Sequence, residues 1–121
     1  MSVHKFRELK VRQRSMAFVA RVYKVSATFP ATEAYGLTSQ LRRAATTIPL
    51  NIAEGAGSGS DAEFSRFRRI AFRSTYEVMT ALDLASTPGF LEEGPYSELT
   101  AEVDEIAAML HGLLASLKAS D

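Results

Sequence analysis

Pro49 sits deep inside the most regular helical pattern of this chain, and that placement constrains the fold more than any other feature. The run QLRRAATTIPLNIAEG, residues 40–55, carries apolar positions at Leu41, Ala44, Ala45, Ile48 and Ile52, continuing from Leu37 on one face of a helical period. A proline there removes one backbone hydrogen bond and crowds the preceding turn, at about 3 kcal/mol in an ordinary helix. The spacing predicts a helix kinked at Pro49, with the carbonyl of Ala45 left for a side chain or water to satisfy. Asn51 and Glu54 beyond the proline, and Thr46 and Thr47 before it, read as groups serving that architecture.

Three further helices are predicted. The first covers residues 6–28, with Leu9, Met16, Ala20, Tyr23 and Ala27 as its core row and a second apolar row at Phe18, Val22, Val25 and Phe29; it ends before Phe29-Pro30. Residues 30–37 connect it to the second helix, for which Thr38 is the expected N-cap and Gly55 the end. Residues 55–60, GAGSGS, read as a flexible link, and Ser60 with Glu63 forms a capping box for the third helix. That helix carries Phe64, Phe67, Ala71, Ser74, Val78, Leu82 and Ala85 at alternating three- and four-residue spacing, with Ile70, Phe72, Tyr76 and Met79 off the seam, and Pro88-Gly89 stops it. Gly94-Pro95 precedes the fourth helix, whose seam is Leu99, Val103, Ile106, Leu110, Leu113 and Leu117. No stretch alternates with period two. The whole of residues 1–121 reads as one all-α domain, an antiparallel up-down four-helix bundle.

Apolar residues make up 46% of the chain, which excludes disorder, and no apolar run approaches the ~20 residues of a membrane helix. Cysteine is absent, so neither disulfides nor thiolate chemistry enter, and with no apolar segment behind the basic amino terminus a cytoplasmic setting is expected. Large side chains off the seams predict that bundles cover one another in a homo-oligomer.

Net charge is zero but unevenly laid out. Residues 1–73 hold 13 of the 14 basic residues against five acidic ones, and residues 74–121 hold one basic residue against nine acidic ones. Such asymmetry points either to an anionic partner or to acidic helices docking against basic ones, in the same subunit or a neighbour. Arg7, Lys10, Arg14, Arg21 and Lys24 form a stripe along the first helix, and Arg66, Arg69 and Arg73 another along the third, with Arg68 nearby. Rows of this kind suit a phosphate backbone, so Lys10, Arg14, Arg21, Arg66, Arg69 and Arg73 are the expected nucleic-acid-binding residues. Arg42 and Arg43 lie beside the apolar face and read as structural, paired with Glu54, Glu77 or a neighbouring subunit.

Catalytic signals are weak throughout. The segment GAGSGSD follows a helix and lacks the lysine of a phosphate-binding P-loop. His4 and His111 are isolated, and no metal-binding or nucleophile pattern occurs, so neither an enzyme nor a cofactor or metal site is expected.

Residues 29–37 (FPATEAYGL), 40–55 and 63–74 (EFSRFRRIAFRS) together resemble the small bacterial four-helix-bundle proteins encoded within intervening sequences of 23S ribosomal RNA genes. These are similar to the accessory variability protein of diversity-generating retroelements. The resemblance implies a bundle assembled as a closed homopentameric ring, with nucleic acid, and a reverse transcriptase or other protein, as partners through basic surfaces. No catalytic residue comes with it. Arg12 stands where the family commonly has tryptophan, Ser58 where an arginine often follows glycine, and Arg73 where glycine usually precedes the serine, which relocates positive charge. Two functions follow: a non-enzymatic oligomeric bundle that binds RNA or DNA electrostatically, as an accessory factor, or a protein-interaction scaffold whose charge division serves packing alone.

Overall fold

The computed structural model describes the backbone of residues 3–120 and the side chains of residues 5–113. Among these residues four α-helices occur and no strand: α1 (Val3–Ser26), α2 (Leu37–Ala56), α3 (Asp61–Ser86) and α4 (Glu93–Ser120), with a short 3-10 turn at Ala31–Glu33 between the first two. α1 packs on α2 and α4, and α3 packs on the same two, so the helices stand at the corners of a square. Contacts such as Arg42 with Ser26, Arg68 with Ile52, and Tyr96 with Asp83 run in opposite chain directions, as short links between neighbours require.

The core is built from the expected seams of three helices. Leu41, Ala44, Ala45, Ile48 and Ile52 of α2, Ala71, Val78, Leu82 and Ala85 of α3, and Leu99, Val103, Ile106, Leu110 and Leu113 of α4 are buried together. Leu117 and His4 have side chains outside the described residues. α2 runs through Pro49 as one continuous element. The polar groups around the proline do not converge on the Ala45 carbonyl: the Asn51 amide donates to the Thr47 carbonyl at 2.9 Å, and the Thr46 and Thr47 hydroxyls donate to the carbonyls of Arg42 and Arg43.

α1 is turned relative to expectation. Its buried face is Val11, Phe18 and Val22, with Phe29 buried just beyond its end, and the row expected in the core faces outward, with Met16 60% and Tyr23 44% exposed. Two apolar rows on one helix fit the same period, so periodicity alone does not choose between them. What the period leaves open is settled by packing against the other helices: Val11, Phe18 and Val22 enter the shared core, and the α1 arginines then lie beside the carboxylates of α4.

Helix ends differ in detail for local reasons. α2 starts at Leu37, one residue before Thr38, because the Glu33 carboxylate accepts the Leu37 N–H at 3.4 Å and Thr38 is buried. At α3 the Ser60 hydroxyl accepts the Glu63 N–H at 3.2 Å, but the Glu63 carboxylate turns to Arg66 instead of back to Ser60. α3 closes on Gly89, whose φ of 87° lets the Phe90 and Leu91 N–H groups both donate to the Ala85 carbonyl. Gly94 and Pro95 lie within the first turn of α4, where a proline removes no intrahelical bond.

Candidate nucleic-acid interface

The arginines of α1 and α3 meet different neighbours, and this difference defines the site. In α1 the spacing puts Lys10, Arg14 and Arg21 on the flank nearest α4, whose facing residues are acidic. Arg14 grips Glu105 with both guanidinium arms, at 3.1 and 2.7 Å. Arg21 bridges two carboxylates, Glu98 at 2.7 Å and Glu102. The hydrogen bond from Arg14 holds the Glu105 carboxyl below its ordinary range, with the charge of Lys10 adding to it, and the same bond raises the Arg14 guanidinium. Lys10 is exposed near Glu105. The positive first helix and acidic fourth thus neutralise each other within one chain.

In α3 the outward face begins with Arg66, Arg69 and Arg73. Arg66 pairs with Glu63 one turn back, at 3.2 Å, and lies over the Phe67 ring at 4.4 Å. Arg69 and Arg73 are exposed and, among the described residues, have neither an ion pair nor a hydrogen bond. A rise of about 1.5 Å per residue spreads positions 66–73 over about 10 Å, which matches about three steps of a nucleic-acid strand at 3.4 Å each. Tyr76 stands one turn further, half-exposed and edge-on to Phe72 at 5.4 Å, and Phe72 also meets the exposed His111 ring at 6.0 Å.

Arg42 takes a structural place with partners other than the carboxylates expected. Its Nε donates to Ser26 Oγ at 2.8 Å, a terminal nitrogen donates to the Tyr23 carbonyl at 3.2 Å, and the guanidinium stacks 4.6 Å above the Tyr23 ring. It therefore closes the carboxyl end of α1, where the helix dipole favours a cation. Arg43 and Glu54 are exposed and unpaired among the described residues.

Arg68 is the residue that charge reading missed. It is fully buried, with Nη2 3.1 Å from Glu8 Oε2, Nη1 donating to the Ile52 carbonyl at 3.1 Å, and the Phe64 ring 3.8 Å from the guanidinium carbon. Its Nε and Nη2 have no hydrogen-bond partner, so Glu8 meets Nη2 as an ion pair alone. Burial lowers its affinity for the proton and the nearby Glu8 opposes that loss. Gly55 makes the room: a Cβ there would stand 2.7 Å from Nη1. The signal was its position, four residues after Phe64 and three before Ala71 on the apolar seam.

The link at residues 55–61 is tied to itself, with Ser58 Oγ donating to the Gly55 carbonyl at 2.6 Å and Ser60 occupied as the α3 cap. Among the described residues no three His, Asp or Glu side chains gather as a metal site, and no helix is long and apolar enough to cross a membrane.

No sequence among the curated proteins matches the chain. A solved structure with the same architecture is a protein of unknown function from the S23 ribosomal protein family of Bacteroides thetaiotaomicron, 21% identical, with a TM-score of 0.84 over 90% of this chain and 98% of that one. At that identity the likeness speaks to the fold alone. The sequence profile of the 23S rRNA-intervening sequence proteins matches residues 7–112, and the chain belongs to that family.

Proposed function

We propose that this protein is a non-enzymatic, cytoplasmic homo-oligomer that holds RNA or DNA electrostatically through the outer face of α3 and serves as an accessory factor to another protein. The observation that carries the reading is the pair of exposed guanidinium groups at Arg69 and Arg73, beside Arg66 and Tyr76 and without carboxylates of their own. Phosphates release condensed counterions when such groups neutralise them, and arginine and tyrosine both stack on unpaired bases. Arg14 and Arg21 are held by Glu98, Glu102 and Glu105 within the chain, so in this reading they stay out of the contact, and Lys10 lies beside the same acidic flank. Repetition of the α3 face in a ring, a pentamer by family resemblance, multiplies a weak contact into useful avidity.

A fluorescently labelled single-stranded RNA and a duplex DNA, titrated at low salt, test the reading. Micromolar or tighter binding that weakens steeply as salt rises is expected. Absence of binding to either probe at low salt overturns it.

The scaffold reading keeps one specific support. The groove between α1 and α2 is apolar and open, with Met16 and Leu50 on its lips, and such surfaces belong to protein contacts.

A further inference from the structure

Three aromatic rings touch one another on the outer surface where α3 meets α4. Phe72 is half-buried and packs against the core. Tyr76 meets it edge-on, with ring centroids 5.4 Å apart and planes at 80°, and is 55% exposed. The exposed His111 ring of α4 lies 6.0 Å from Phe72, tilted by 40°. Phe72 thus holds two rings in place without covering them, in arrangements that aromatic pairs favour. Arg69 precedes Phe72 by three residues and Arg73 precedes Tyr76 by three, a spacing that makes each arginine a surface neighbour of a ring. Both are exposed, with no ion pair among the described residues. Past Tyr76 the outward positions of α3 are Thr80 and Asp83, one neutral and one acidic, so the cationic stretch ends at the rings.

We propose that Tyr76, Phe72 and His111 form a stacking platform for unpaired bases, so that this face takes single-stranded nucleic acid in preference to a duplex. The inference rests on the reading of the α3 face as the nucleic-acid contact. Every base has a π-face that stacks on an aromatic ring, and a guanidinium beside the ring neutralises the phosphate that follows. In a duplex the bases are paired and stacked on one another, out of reach of rings fixed to a helix surface. A duplex then meets only Arg66, Arg69 and Arg73 through its phosphates, and Arg66 is shared with Glu63. Open cations without rings would not tell a strand from a duplex, and rings without open cations would suit any apolar partner. Their juxtaposition selects a polyanion with exposed bases. His111, isolated in the sequence, takes its place in this platform as a ring face at the α4 edge, with no metal or proton transfer involved.

One labelled RNA strand, alone and annealed to its complement, tests this by fluorescence anisotropy at a single low salt concentration. The single strand should bind about tenfold tighter than the duplex, the size of one base stack. Tyr76→Ala and His111→Ala should each weaken the single strand by about fivefold or more and leave the duplex unchanged. Tyr76→Phe, which keeps the ring, should retain the preference. Both positions are exposed, and unchanged circular dichroism confirms that the fold survives. If the wild type binds both forms equally or prefers the duplex, or if Tyr76→Ala weakens both forms alike or neither, the platform is wrong while the electrostatic contact stands. A changed mass of Tyr76→Ala by light scattering would assign the rings to a contact between copies and likewise overturn the platform. Absence of binding to either form overturns the contact and the platform together.

Discussion

α1 and α3 carry comparable rows of arginine, yet one row is closed and the other open. Arg14 and Arg21 face α4 and are held by Glu98, Glu102 and Glu105, whereas Arg69 and Arg73 face solvent with no ion pair among the described residues. Charge density along a helix is the same kind of signal in both. The charge of the neighbouring helix decides whether it serves packing or a partner. Arg68, on α3 but turned inward, marks the third state of the same side chain: buried, and tolerable only because Glu8, the Ile52 carbonyl and Phe64 surround it.

The contrast breaks most visibly at Arg68. Glu8→Ala leaves the guanidinium buried without its counter-charge, a change that destabilises by about 3–5 kcal/mol; chemical denaturation should read a loss of that size. Gly55→Ala comes next. Its Cβ would press on Nη1 at 2.7 Å and push Arg68 off the Ile52 carbonyl, for a loss of about 1–3 kcal/mol. Removing the open row should do almost nothing to stability: Arg69→Gln with Arg73→Gln is expected to stay within about 0.5 kcal/mol of wild type. Removing the closed row, by Arg14→Gln with Arg21→Gln, should cost under about 1 kcal/mol per partner pair, since these are solvent-facing contacts.

The smallest effect is a pH dependence confined to the closed row. Glu105 has its folded-state carboxyl held below the ordinary range by Arg14, so its contribution is present above the unfolded value and lost as pH falls through the lower folded one. Urea midpoints compared between neutral and acid pH should show a slightly steeper acid loss in the wild type than in Arg14→Gln. Equal slopes would mean that the Arg14–Glu105 contact is not maintained in solution.

Much of this bundle is legible in the residues. Among the described side chains, α2 and α4 bury the row read from the sequence, and α3 buries Ala71, Val78, Leu82 and Ala85 of its row while Phe64 and Phe67 are only half-buried. α1 offers two rows, Leu9–Met16–Tyr23 and Phe18–Val22–Phe29, and packing against the neighbouring helices picks between them, a relation between helices that no single-helix period contains. The same missing information hid the closure of Arg14 and Arg21. Arg68 escaped because an arginine on an apolar seam reads as a surface charge until Gly55 opens space for it across the helix pair. Glu33 displaced Thr38 as the group serving the start of α2 because Thr38 points into the core.

The central claim is that the open row binds polyanions and the closed row does not. Salt-titrated binding of one labelled RNA by the Arg69→Gln, Arg73→Gln pair and by the Arg14→Gln, Arg21→Gln pair tests it most directly. The account predicts that the α3 pair lowers affinity and flattens the dependence of log K on log salt by about 1–2 units, as loss of two phosphate contacts requires, while the α1 pair leaves the slope at the wild-type value. Equal slopes for the α3 pair and wild type, or a flattening confined to the α1 pair, would contradict it.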